Sequence, residues 1–484
     1  MASSLKLRSF FLVVIVVVPI GIALQRCGQP NGSNKSVSQI NLEGYRISEG
    51  AVAVFPGDGT FAKVQGMEAY GKGDYEIAET LFEQSLQQRP NDPEALIYKN
   101  NAKNQIKNNA NGKNNPPSLK LAVSIPGETA DGNGSREILR GVAQAQDEIN
   151  RAGGINNQSL SIVIGTDNDD INIAPKVAAS FVSQSEVLGV IGHVASSTTL
   201  ATVETYTKGE LVAISPISSA VQLSNKSPYI FRTVPSDSMA ARSLVDYTVN
   251  TLKRKKAVVY FNSESDYSKS LKGEFSSAIL SEGGEIVAEY DLAVSNFDAQ
   301  ASLTSAKRQG ADVIMLASNT DRLDRALQVV RLNESLLPIL GGDDVYSPRT
   351  LEITRATGQN MVVAVPWHIL SNTSKMFAAR SRKLWGGDVN WRTVTAYDAT
   401  QALITALQTN ITRTGIKDAL RAPGFSAVGA SSPVSFLASG DRTAVIQLVK
   451  IVKGSRSKYG YDFMPIELSS PSSNTDPKDL KPTN

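Results

Sequence analysis

The stretch "VIGHVASSTT", residues 190–199, places Ser196, Ser197, Thr198 and Thr199 where an apolar run stops at Gly192 and a helical pattern begins. The first amides of a helix lack intrahelical partners, so hydroxyls beside them make a site for an anion. Ser196 or Ser197 would cap that helix, and the same groups would hold a carboxylate or a phosphate. Three more strand ends carry polar residues. In "AISPISSAVQL", Ser215, Ser218 and Ser219 follow a strand, with Pro216 fixing the turn. In "GGDDVYSP", Gly341 and Gly342 permit a tight turn before Asp343 and Asp344, where an acid meets a cation or caps a helix near Ser347. In "FNSESDYSKS", Tyr267 ends a loop and belongs to a rim, the core or a ligand contact. Hydroxyls and amides for an anion, with an acid for a cation, are the chemistry that holds a zwitterion.

Other chemistries are short of residues. His193 and His368 are the only histidines and Cys27 the only cysteine. No disulfide within the chain, no cysteine metal cluster and no multi-histidine zinc site can be assembled. Neither histidine lies in a nucleophile-elbow context, so a serine triad is not supported and the chain does not read as an enzyme. "GETADGNGS" is Gly-rich but lacks the GxGxxG spacing and a following Lys, so no nucleotide cofactor is expected. Forty-nine Lys plus Arg against 46 Asp plus Glu leave a net charge of +3, which gives no electrostatic case for nucleic acid. The one sharp basic run, Lys253 to Lys256, precedes a strand and reads as a solvated helix end.

The elements that must position these residues alternate. "LKLAVSI", "LSIVIG", "VLGVIG", "LVAIS", "AVVYF", "EIVAEY", "ADVIML", "PILGG" and "MVVAV" are Val- and Ile-rich, mostly without polar alternation, as strands covered on both faces are. Between them lie amphipathic helical stretches at 138–152, 174–184 and 322–332. Strand–helix alternation implies parallel sheets joined by crossovers, and nine or more strands imply two sheets in two lobes. Ligands in such sheets gather beyond the carboxyl ends of the strands, where the polar stretches sit.

Ahead of the lobes the chain changes character. Lys6 and Arg8 precede "FFLVVIVVVPIGIAL", a secretory signal pattern that is short for a transmembrane helix. No small-x-small cleavage site follows and Arg26 spoils a lipoprotein site at Cys27, which favours a retained anchor at 1–25 over a cleaved signal. Residues 26–60 read as a flexible spacer. Residues 61–108 carry amphipathic helices in which Gly66, Ala78, Phe82 and Pro90 resemble the tetratricopeptide pattern for about one repeat and the first helix of a second. The Asn-, Lys-, Gly- and Pro-rich stretch from Asn104, with 109–118 as its linker proper, predicts that residues 119 onward fold independently. Residues 467–484 read as a disordered tail.

"INRAGGI", "VIGHVASSTT", "LVAISPISS" and "ILGGDDV" occur in the order of the leucine/isoleucine/valine-binding proteins, the type I periplasmic solute-binding proteins of branched-chain amino-acid ABC transporters. The resemblance covers residues 119–466. It implies two Rossmann-like lobes, about 119–236 with 368–436 and 237–367 with 437–466, closing on a ligand around three crossover strands. By position it implies Ser196, with Ser197 beside it, for the α-carboxylate, the Ile217 carbonyl and Ser219 hydroxyl for the head group, Asp343 for the α-ammonium and Tyr267 at the mouth. It also implies an amino-acid ligand, an ABC permease as partner and a periplasmic place, which the N-terminal apolar segment would tether to the inner membrane. The acid is Asp where relatives often carry Glu, and the first loop lacks the aromatic often found there, which implies a wider pocket. The helical segment is not standard in simple transport receptors, and it raises a second expectation: a sensor or scaffold that signals ligand to a protein partner through those helices.

Overall fold

A computed structural model of the chain describes residues 39–40, 44–110, 116–127, 132–371 and 375–466. The apolar run at 10–24, Cys27 and the tail at 467–484 lie outside the described residues. Among the described residues no helix is long and apolar enough to cross a membrane.

Each Val- and Ile-rich run forms a strand, and the strands gather into two seven-stranded sheets. The first holds β1 (Gln39–Ile40), β2 (Arg46–Ser48), β3 (Leu119–Ile125), β4 (Leu160–Thr166), β5 (Val187–Ile191), β6 (Ala213–Ser215) and β7 (Ile230–Arg232), in the order β1-β2-β4-β3-β5-β6-β7. The second holds β8 (Lys256–Phe261), β9 (Glu285–Asp291), β10 (Val313–Ala317), β11 (Ile339–Gly341), β12 (Val362–Val365), β13 (Gln447–Lys453) and β14 (Tyr461–Pro465), in the order β14-β13-β12-β11-β10-β8-β9. Five strands of each sheet, β3 to β7 and β8 to β12, run parallel with the same winding. In both, the first strand lies between the second and the third, which creates a switch point where neighbouring loops diverge.

Helices explain why the strands are apolar on both faces. Three, α1 (Phe61–Lys72), α2 (Tyr75–Gln88) and α3 (Pro93–Ala110), precede the first lobe. Crossovers supply α4 (Gly132–Arg151), α5 (Ala174–Ser183), α6 (Ser196–Lys208), α7 (Asp237–Asp246), α8 (Asp266–Ser281), α9 (Ala299–Arg308), α10 (Leu323–Asn333) and α11 (Pro348–Thr354). The chain then returns to the first lobe through α12 (Lys375–Trp385), α13 (Trp391–Thr409) and α14 (Arg413–Arg421). Ser381 Oγ donates to Gln144 of α4 at 2.9 Å, and Thr393 Oγ1 to the Glu137 carbonyl at 3.0 Å. Between these layers β4 is buried at all seven positions and β10 at all five. Each buried Val, Leu or Ile side chain contributes ~1.5–3 kcal/mol, so the central strands carry much of each lobe's stability. The chain passes between lobes after β7, after β12 and before β13.

The N-terminal helices are not a separate module. Gly66 allows α1 and α2 to touch, since a Cβ there would sit 2.9 Å from the Phe82 ring. Ala78 and Phe82 are fully buried, as the repeat pattern requires. But α3 runs on to Ala110, through the stretch whose composition reads as linker. Its asparagines are used as backbone partners. Asn101 Nδ2 donates to the Ile162 carbonyl at 2.8 Å while its Oδ1 accepts the Ile162 amide at 3.0 Å, and Asn104 Nδ2 donates to the Leu160 carbonyl at 2.8 Å. Upstream, β2 pairs antiparallel with β4 and extends the first sheet, so the expected spacer does not reach residue 60. Composition marked both stretches as loose. Hydrogen bonds to β4 make them part of the lobe.

Candidate functional site: a cleft between the lobes

The carboxyl ends of β4, β5 and β6 face those of β8, β10 and β11 across a cavity of about 770 Å³. Ser196, Ser197, Ile217, Tyr267 and Asp343 all line it, so five of the six expected residues come together. Ser219 does not. It lies buried behind Tyr267, beside Asp237, on a separate cavity of about 10 Å³.

The first lobe's wall is built from hydroxyls that brace one another. His193 is fully buried, with Nδ1 2.5 Å from Asp167 Oδ2 and Nε2 2.8 Å from Tyr206 Oη. Ser124 Oγ donates to the same Asp167 oxygen at 2.9 Å. Burial pushes the Asp167 carboxyl up, but the His193 hydrogen bond and charge outweigh it and hold it below the usual range. Thus His193 ties strand ends together and does not face the cavity. Ser215 Oγ donates to the His193 carbonyl at 2.7 Å and Ser218 Oγ to the Val194 carbonyl at 2.9 Å, so both pin the loop ahead of α6.

Neither Ser196 nor Ser197 caps α6. Ala195 occupies the cap position, where its methyl group has no acceptor to offer, and Ser196 already belongs to the first turn. Ser196 Oγ instead accepts the Ala220 amide at 3.3 Å, which spends one lone pair on the neighbouring loop. The first intrahelical bond of α6 runs from the Thr199 amide to the Ala195 carbonyl at 3.0 Å. The amides of Ser196, Ser197 and Thr198 precede it and point where the helix dipole favours negative charge. Ser197, half-buried, puts its hydroxyl on the cavity wall.

The second lobe supplies the acids. Tyr267, in the first turn of α8, donates its hydroxyl to Asp343 Oδ1 at 2.7 Å. Gly342 makes this contact sterically possible: its φ is −77°, and a Cβ there would lie 2.3 Å from Tyr267 Oη. The glycine is needed for space and not for a left-handed turn. Burial and then the charge of Asp344 push the Asp343 carboxyl up to about 7, against the Tyr267 bond and Arg392. Asp343 and Asp344 do not cap the next helix, since Ser347 does so by accepting the Arg349 amide at 3.2 Å. Nor does Asp344 stand free. It accepts Arg392 Nη2 at 2.8 Å and the Thr320 amide at 3.2 Å. Arg392 sits on α13, which packs against α4 of the first lobe, so this ion pair joins the lobes. The Val221 amide donating to Ser270 Oγ at 3.0 Å is a second such tie.

The residues singled out from the sequence omit others that line this cavity. Trp391 and Arg392 enter from a helix start, with the Arg392 guanidinium 4.4 Å from the Trp391 ring centroid. Asp169 follows β4 and Asp321 follows β10, and both were legible as acids after strands in "GTDNDD" and "SNTDR". Asp169 is exposed where it lines the cavity. The protein packed nearby, then the charge of Asp167, push its carboxyl up, with Asp321 and Asp344 adding to it and the Ala195 amide opposing.

A model of the periplasmic binding protein family matches residues 118–456. The chain belongs to that family. It is 29% identical over 195 residues to an amino acid binding protein of Pseudomonas aeruginosa, across 40% of this chain and 52% of that one. The chain spans about half the length of this relative. Its fold is similar to a leucine binding protein of Thermotoga maritima, with 20% identity and a TM-score of 0.62 over 72% of this chain and 97% of that one. It is also similar to a branched-chain amino acid transporter substrate binding protein of Streptococcus pneumoniae in complex with isoleucine: 23% identity, TM-score 0.61, 72% and 100% covered. These likenesses define the architecture, two α/β lobes of the type I periplasmic binding protein kind.

Proposed function

We propose that this chain is an extracytoplasmic solute-binding receptor for an amino acid, which it hands to an ABC permease after the lobes close around it. One observation carries this reading: amides and a hydroxyl at the start of α6 meet the Asp343–Tyr267 pair across one interlobe cavity. The α-carboxylate is assigned to the amides of Ser196, Ser197 and Thr198, with the Ser197 hydroxyl. The α-ammonium is assigned to Asp343, which Tyr267 orients. Ile217 lines the floor between them. Binding and not catalysis is assigned to the cavity, in keeping with relatives named as binding proteins. The apolar run at 10–24 supports export and a tether to the inner membrane.

A thermal-shift screen of the full chain against the common amino acids tests this directly. A ligand at about 100 times its Kd stabilises by ~2.7 kcal/mol, which is several degrees in Tm. No shift with any amino acid would refute the reading.

A second reading has its own observation. Phe61, Val64 and Ile77 are exposed on α1 and α2, and those helices are tied to the first lobe through α3. A sensor that reports ligand to a protein partner through this face would retain such a partner, and no permease, on affinity purification from membranes.

A further inference from the structure

Seven acidic side chains line the interlobe cavity against two basic ones. Both bases are already engaged, Arg392 with Asp344 and Lys269 with Asp266. Asp169, Asp170, Asp321 and Asp343 form no direct ion pair among the described residues. Their oxygens take only neutral donors: the Ala195 amide at 3.4 Å, the Asn172 amide at 2.7 Å, the Asn319 side chain at 3.1 Å and the Tyr267 hydroxyl at 2.7 Å. A head group with one ammonium satisfies one carboxylate, and Asp343 serves it. Three remain, contributed by both lobes.

Two further observations say what neutralises them. Among the described residues no three acidic or histidine side chains are grouped closely enough to hold a metal ion, so the negative charge is spread along a wall. An extended organic cation matches that spread. At about 770 Å³ the cavity also exceeds what a small aliphatic side chain fills, well within the range for larger solutes.

We infer that the side-chain end of this cavity takes a second positive charge, so that the ligand is an amino acid with a basic side chain, its ammonium or guanidinium lying between Asp169 of the first lobe and Asp321 of the second. The inference rests on the amino-acid reading above and adds the ligand's charge. Closure brings carboxylates from both lobes around the cation, and a neutral side chain would leave them facing one another.

Isothermal titration of the full chain at pH 8 with lysine, arginine, leucine, glutamate and putrescine tests it. Lysine or arginine is expected to bind at least about tenfold tighter than leucine, a difference of ~1.4 kcal/mol. In Asp321→Asn the preference for lysine over leucine is expected to fall by about tenfold or more. Leucine binding as tightly as lysine, or an unchanged preference in Asp321→Asn, would overturn the inference and leave the amino-acid reading standing. Heat from none of the amino acids would overturn the reading itself. Putrescine binding tighter than lysine would also overturn it, because a diamine has no carboxylate for α6.

Discussion

At the scale of residues, one carboxyl decides most. Asp343 lies on the cavity wall with a single neutral partner, Tyr267, and closure would remove it from solvent with a ligand ammonium beside it. Leaving a buried cation unpaired costs ~2–5 kcal/mol, so Asp343→Asn is expected to weaken amino-acid binding by about 30-fold or more. Titration calorimetry checks this, and a change below about threefold would remove Asp343 from the head-group site. Asp344→Asn is no silent control, because it frees Arg392 and cuts an interlobe ion pair. The raised carboxyls also set a pH dependence. A carboxyl whose folded pKa lies above its unfolded value binds more protons when folded, so its contribution to stability falls as pH rises from about 4. For Asp343 that decline continues through about 7. Without ligand, the chain is expected to unfold at lower urea concentration at pH 8 than at pH 5.5, and Asp343→Asn is expected to narrow the gap. An unchanged gap in the variant would show that the Asp343 carboxyl is ordinary. The sequence reveals Ser197, Tyr267 and Asp343 because each follows an apolar strand. It misleads about Ser196 as a cap and hides Trp391 and Arg392, whose helix start has no strand before it.

Elements follow the same logic. Nine strands are legible, eight because they lie inside the layers and are largely buried, while β9 is a sheet edge with no buried position that still carries a short apolar run. β1, β2, β7, β13 and β14 are missed: β1 has two residues, β2 and β7 have three each, and β13 and β14 form an antiparallel edge with mixed burial. The greater surprise is α3. Its Asn-rich surface has the composition of a linker, but the asparagine amides complete the hydrogen bonding of β4. Asn101→Ala would leave the Ile162 amide and carbonyl buried without partners, at ~1–3 kcal/mol for each group. A loss of about 2–4 kcal/mol in denaturant melts is expected. A loss under about 0.5 kcal/mol would return α3 to the status of a loosely attached spacer. By the same reasoning a chain cut at residue 118 exposes the edge of β4 that β2 covers, and it is expected to be less stable than the full chain.

For the whole molecule, the repeated winding of the two parallel sheets fixes where function sits. Each sheet has one switch point at the carboxyl ends of its strands, and the three chain crossings bring the two switch points face to face. Neither sheet alone holds both halves of a zwitterion: the amides of α6 come from one lobe and Asp343 from the other. Arg392–Asp344 and Val221–Ser270 then join the lobes at the rim of the cavity. Two lobes were readable from strand count and alternation. Their closure contacts were not, since residues 221 and 270, or 344 and 392, are neighbours only after both lobes have folded. The most direct test is a crystal structure of the full chain with the amino acid that stabilises it most. The account expects that amino acid between the lobes, with its carboxylate within hydrogen-bond distance of the Ser196, Ser197 and Thr198 amides and its ammonium against Asp343. A ligand bound outside this cavity, or one whose carboxylate lies against Asp343, would contradict it.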